Sequence, residues 1–266
     1  MKKLRLSHPR GIGAWIPAII TFVVFLIAWE GLIRVAKIPP YLLPSANALF
    51  TRMWRDIDQL LRNLALTTAS TMAGFFIGSV VGWSSSMIFS LNRTFERAFY
   101  PYFIALKSIP IVVIAPMIAL WLGTDLAGRI IVVALSTFFP ILVNSLKGFA
   151  NIENGLLELA VAYRATPRQI FFRLRLPGSL PYLFAGMKVS AVLAVVAALV
   201  AEMMGADSGL GFILTVSIYR TDTEALFCVT VLSAALALAI FGLVVLLERK
   251  GFPWIQGVLL NKSMEV

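Results

Sequence analysis

Apolar residues fill six long stretches of this sequence, at about 14–35, 67–89, 101–122, 129–146, 180–204 and 225–247, and charges, prolines and glycines separate them. A helix rises ~1.5 Å per residue, so a run of roughly 20 residues matches the thickness of a bilayer's hydrocarbon core. The pattern predicts an all-α, polytopic membrane protein with six transmembrane helices. Between the first two runs, residues 38–63 open with Pro39, Pro40 and Pro44 and then turn amphipathic over 49–61. That stretch is expected to lie along the membrane surface.

Composition narrows the picture. Of the 266 residues, 59% are hydrophobic and 14% charged, against about 45–50% and about 25% in soluble domains. A soluble enzyme and a disordered tail are both excluded. The net charge of +10 would suggest a nucleic-acid partner in a soluble protein, but here the basic residues flank apolar runs. No nucleic-acid partner is expected. Placing the N-terminus in the cytoplasm gathers Lys2, Lys3, Arg5, Arg10, Arg93, Arg97, Lys147, Arg164, Arg168, Arg173, Arg175, Arg249, Lys250 and Lys262 on the inner side. Half as many fall outside, so the excess of Lys and Arg puts both termini in the cytoplasm. Reading the first run as a cleaved signal peptide would invert that parity, and Trp29, Glu30 and Gly31 follow it where a cleavage site belongs. With Cys228 and His8 as the lone cysteine and histidine, the chain offers no intrachain disulfide, no His/Cys metal centre and no organised triad.

Small residues recur every fourth position on the second run, at Ser70, Gly74, Gly78, Gly82 and Ser86, and again at Gly186, Ser190, Ala194 and Ala198 on the fifth. This spacing lets helix backbones approach closely in lipid, between two copies or within one chain. Charges at membrane depth cost free energy and are expected to face a cavity or a partner. Lys107, Lys188 and Glu202 are the candidates, with Ser108 and Asn144 as polar companions in the spans; two readings stay open, that these residues line a solute pathway or that the charged ones snorkel to the nearer membrane surface. Lys188 and Glu202 share one helix face within about 40° but sit ~21 Å apart along it, too far to pair. Pro110, Pro116 and Pro140 interrupt spans, and residues 205–211 form a glycine-rich outer loop with neither a dinucleotide fingerprint nor a Walker lysine.

The longest inner connection, 147–179, carries the most defined local chemistry. It reads as two short helices, the first over 155–163. Thr166 then serves as N-cap, Pro167 as first helical residue and Gln169 as the third, a capping box with Ala165 and Ile170 as its hydrophobic staple. Pro177 is expected to end the second helix. Leu156, Leu157, Ile170, Phe171 and Leu174 alternate with Arg168, Arg173 and Arg175, which suits a membrane-surface hairpin or a knob that docks on another protein.

Glu158, Leu159 and Ala160, followed by Tyr163, Ala165, Ile170, Leu176 and Pro177, resemble the EAA loop of binding-protein-dependent ABC importer permeases. The likeness extends from Leu43, Pro44 and Ser45 through Ile109–Gly123 and 138–144 to 202–211, and is similar to the nitrate, sulfonate and taurine branch. It implies the type I importer transmembrane fold: residues 1–61 as N-terminus, first helix and outer segment, 62–248 as the transmembrane domain, and 249–266 as a cytoplasmic tail. It further implies that Glu158, Leu159, Ala160, Tyr163, Arg164, Ala165, Thr166, Pro167, Ile170, Leu176 and Pro177 couple the chain to a separate ATP-binding subunit. ATP and Mg would be bound there and no cofactor by this chain. An extracytoplasmic solute-binding protein, a second copy of the permease and membrane lipid complete the implied partners, in a bacterial inner membrane. The solute implied is riboflavin or another vitamin or pyrimidine precursor, or a sulfonate, taurine or nitrate-type anion. An ATP-independent channel or secondary transporter is the alternative. One departure stands out: Arg164 occupies the position where the EAA pattern has glycine, so the arginine must adopt a left-handed conformation or the helix must end differently.

Overall fold

A computed structural model describes residues 16–152 and 154–252. The basic residues Lys2, Lys3, Arg5, Arg10 and Lys262, together with His8, lie outside the described residues. Eleven α-helices follow one another there: α1 Ile16–Val35, α2 Ala46–Arg55, α3 Ile57–Leu91, α4 Arg93–Lys107, α5 Ile111–Leu122, α6 Leu126–Ala150, α7 Asn154–Ala162, α8 Pro167–Ile170, α9 Leu176–Met203, α10 Leu210–Arg220 and α11 Thr223–Gly251. A π turn, Phe171–Arg175, joins α8 to α9. Among the described residues, α3, α6, the rod Pro167–Met203 and α11 are long and apolar enough to cross a membrane, and the bent pair of α4 and α5 adds a fifth candidate.

Helix α6 is the centre of the bundle, with α3 on one side and α9 on the other. Lipid tails are as apolar as leucine, so close van der Waals contact rather than hydrophobic burial must hold these helices together. The small residues supply that closeness. A Cβ at Gly74 would lie 2.5 Å from Val133 Cβ and 2.7 Å from the Ile130 carbonyl, and one at Gly82 would lie 2.8 Å from the Phe138 carbonyl. On the other side, a Cβ at Gly186 would meet Ile141 Cα and the Pro140 carbonyl at 3.1 Å, and Ser190 Oγ donates to the Thr137 carbonyl at 3.1 Å. Both seams therefore close within one chain. Around them Val133, Ala191, Ala194, Ala197 and Ala198 are fully buried.

Three expected elements differ. The third span is broken: α4 and α5 meet at 94° across 108–110. Pro110 has no N–H and disfavours a helical conformation at the residue before it, so α4 stops at Lys107 and Pro110 becomes the N-cap of α5. The amphipathic stretch 49–61 is split at Asp56, and its second part begins α3, a 35-residue helix. Past the glycine-rich loop lies α10, a short apolar helix of 11 residues absent from the hydropathy reading. The outer elements are tied by polar contacts. Trp29 Nε1 donates to the Pro44 carbonyl at 3.2 Å, and Arg52 on α2 bridges Asp56 at 2.5 Å and Asp222 at 2.8 Å.

Candidate functional site

The loop between α6 and α9 is built from local rules. Helix α7 ends in two reverse contacts: the Arg164 amide donates to the Val161 carbonyl and the Ala165 amide to the Ala160 carbonyl, both at 2.9 Å. That is the Schellman closure, which requires a left-handed residue at Arg164, and Arg164 has φ +52°. The arginine thus takes the conformation that a glycine would have taken. Two residues on, Thr166 Oγ1 accepts from the Gln169 amide at 3.3 Å and Gln169 Oε1 accepts from the Thr166 amide at 2.8 Å, which completes the capping box.

Pro177 does not end this helix. Its missing N–H and its ring disturb the carbonyl four residues back, and the chain responds by widening: the Leu176 amide donates to the Phe171 carbonyl, five residues earlier. A π turn of this kind absorbs the proline without a break. Pro167 through Met203 consequently forms one 37-residue rod from the loop to the far end of the bundle. The base of the rod is fastened to α6 by Phe171, buried and stacked on Phe149 with ring centroids 5.8 Å apart, and by Asn151, whose side-chain amide donates to the Tyr182 hydroxyl.

What remains outward includes an apolar stripe. Leu156, Leu159 and Tyr163 lie on one face of α7 at helical spacing, and Tyr163 is 80% exposed. Glu158, Arg164, Thr166, Pro167 and Arg168 are exposed around them, whereas Ala160, Ala165, Ile170, Leu176 and Pro177 are half-buried.

The five polar candidates within the spans are not gathered in one place. Lys107 and Ser108 are exposed beside the α4–α5 break, with Ser108 Oγ bonded to the Ile104 carbonyl at 3.0 Å. Asn144 Nδ2 donates to the Pro140 carbonyl at 2.7 Å within α6. Lys188 Nζ meets Glu248 Oε2 on α11 at 2.5 Å. Glu202, at the far end of α9, is 1% exposed; its Oε2 accepts from Thr67 Oγ1 and from the Gly211 amide, both at 2.9 Å.

A second constellation forms around Glu202 that the sequence reading did not assemble. The Leu210 amide donates to Thr67 Oγ1 at 2.8 Å, and the Gly209 amide to Asn63 Oδ1 at 2.7 Å. The first turn of α10, which begins on Gly209 and lacks a capping side chain of its own, is thereby satisfied by α3 and α9. Gly209 has φ +103°, and a Cβ there would run into the Glu202 carboxylate. Arg129 holds the same loop from α6, donating to the Thr124 carbonyl at 3.0 Å and the Ser208 carbonyl at 3.2 Å. The visible signal was the pair Gly209 and Gly211 next to a lone acid in an apolar run.

Residues 70–251 match the family described as the binding-protein-dependent transport system inner membrane component. The chain belongs to this family. It is a permease subunit of an ABC importer and an inner-membrane component. Among its relatives, the formylaminopyrimidine transport permease protein ThiX of Halalkalibacterium halodurans is 32% identical over 235 residues, covering 88% of this permease and 93% of that protein. The putative aliphatic sulfonates transport permease protein SsuC of Escherichia coli is 30% identical, covering 87% and 89%. The riboflavin transport system permease protein RibX of Chloroflexus aurantiacus is 29% identical, covering 88% of each chain. The fold is also that of a chain in the inward-facing MetNI methionine ABC transporter, with TM-score 0.57, 23% identity, and coverage of 73% of this permease and 96% of that chain. A chain of an amino acid ABC transporter crystallised with histidines gives TM-score 0.61 at 16% identity, covering 76% and 98%.

Proposed function

We propose that this permease is one of two identical membrane subunits, driven by a separate ATP-binding subunit that seats the apolar face of α7. The observation that carries this reading is the exposed stripe Leu156, Leu159 and Tyr163, on a helix fixed at its end by the Arg164 closure and joined to a rod that crosses the bundle. A displacement of the loop would move the whole rod, because the capping box and the π turn leave no break in it. ATP and Mg belong to the partner, and this chain does no chemistry. ATP-induced closure of the partner would shift the population between inward-facing and outward-facing arrangements through its different contacts with the loop in each. Both termini are assigned to the cytoplasm, a reading that the basic residues around the inner loop support.

The solute is a small vitamin precursor of the pyrimidine or flavin type, delivered by an extracytoplasmic binding protein; the likeness to ThiX and RibX supports this. A sulfonate is the second reading, favoured by the likeness to SsuC. The test is affinity purification of the tagged permease from its native membrane in mild detergent, with the bound proteins identified by mass spectrometry. An ATP-binding subunit in roughly equal amount is expected, and Leu159→Asp with Tyr163→Asp should lose it while the permease still inserts. Recovery of the permease alone, transporting in vesicles without ATP, would reverse the reading in favour of a channel or secondary transporter.

A further inference from the structure

The rod Pro167–Met203 is held by its two neighbours in different ways. Against α6 the contact is steric: Gly186 and Ser190 bring the two backbones together with no room for sliding. Against α11 the contact is apolar packing, with Leu236, Ile240 and Val244 in one buried cluster with Phe184, Ala191 and Ala194 of the rod, to which the loop half of the bundle adds an ion pair. Lys188 Nζ and Glu248 Oε2 are 2.5 Å apart, with side chains 27% and 10% exposed, and one turn nearer the loop Phe184 packs on Phe252 with ring centroids 5.5 Å apart.

A charge pair sunk between apolar helices is a poor source of stability, because desolvation of both ions offsets most of their attraction and apolar side chains of similar size hold the helices as well. What such a pair does supply is register: two opposite charges at contact distance specify one alignment of the helices and resist slippage past one another. Lys188 lies ~18 Å along α9 from its first residue, and Glu248 lies within the last turn of α11. The pair therefore joins the loop end of α11 to the middle of the rod.

We propose that Lys188 and Glu248 are positioning residues that pass displacement of the α7–α8 loop from the rod to α11, so that α9 and α11 move as one body. The proposal rests on the coupling role given to that loop. Lys188 acts through Glu248 here; its ammonium is already matched by a carboxylate and is not left to attract a passing anion.

The experiment uses the permease with its co-purified partners in nanodiscs, in a Cys228→Ala background, with spin labels in pairs at Leu91, Phe172 and Leu247, all exposed side chains. Distances are measured before and after trapping with ATP and vanadate. In the unaltered pair, Phe172 and Leu247 should both shift relative to Leu91 while keeping their mutual distance. In Lys188→Met with Glu248→Met, a neutral pair chosen because a single substitution strands a buried charge, the Phe172 shift should persist and the Leu247 shift should be lost. The exchange Lys188→Glu with Glu248→Lys should restore it, which a purely structural role would not require. A neutral pair that keeps the full Leu247 shift overturns the proposal. If Phe172 itself does not move with ATP, the coupling role of the loop falls first and the proposal with it. Should the neutral pair fail to assemble, Glu248→Asp, which retracts the carboxylate by one methylene, takes its place; an undiminished Leu247 shift in that variant overturns the proposal equally.

Discussion

Replacing Arg164 with glycine isolates a single backbone torsion in the loop that we assign to coupling. At φ +52° a residue with a Cβ crowds its own carbonyl, at a cost of about 1–2 kcal/mol. Glycine removes that strain but adds freedom to the opened state, returning roughly 0.5–1 kcal/mol. The difference leaves the closed turn about 0.5–1 kcal/mol more stable, which is about a twofold to fivefold change in the opening equilibrium. The Arg164 side chain is exposed, so little packing is lost with it.

The assay follows from the two bonds that the closure makes. Amide hydrogen exchange across 158–167, in nanodiscs and resolved to single residues, reads opening at Ala165, whose N–H is held by the Ala160 carbonyl at 2.9 Å. Arg164→Gly should slow its exchange by about twofold to fivefold. Arg164→Ala keeps the Cβ and should give no gain; Arg164→Asn, whose side chain tolerates the left-handed region, should fall between. Equal protection in Gly and Ala variants would refute the reasoning, since it would assign the effect to the lost side chain and not to the torsion.

Two further outcomes test the packing and the far-end lock. Thr67→Val strips a donor from Glu202 and an acceptor from the Leu210 amide, both buried, and should cost about 2 kcal/mol or more; Thr67→Ser should not, by unfolding in detergent. Gly78→Ala would drive a Cβ into Thr137 Oγ1 and to 2.6 Å from the Ala134 carbonyl, costing about 1–3 kcal/mol. Gly31→Ala, with nothing within 4 Å, should stay within about 0.5 kcal/mol on the same measurement.

How much of this was legible depends on how local each cause is. The seams could be read because a small residue every fourth position has one physical use in lipid, and the structure closes both on α6. The capping box could be read because it rests on residues within a single turn, whereas at Arg164 the sequence left two helix endings open and the structure selects the left-handed one. Hydropathy averages failed at 108–110, where Pro110 bends the chain without lowering the apolar count, and Pro177 misled because a π turn can absorb what a proline removes. The buried acids show the sharper limit. An acid in an apolar run announces the need for a donor and leaves its identity open. For Glu248, which the sequence reading did not single out, the partner is the Lys188 side chain, brought to its depth by the packing of α11 on α9. For Glu202 the donors are Thr67 and a backbone amide at Gly211. An amide carries no residue identity, so only the fold of the glycine-rich loop can supply that partner.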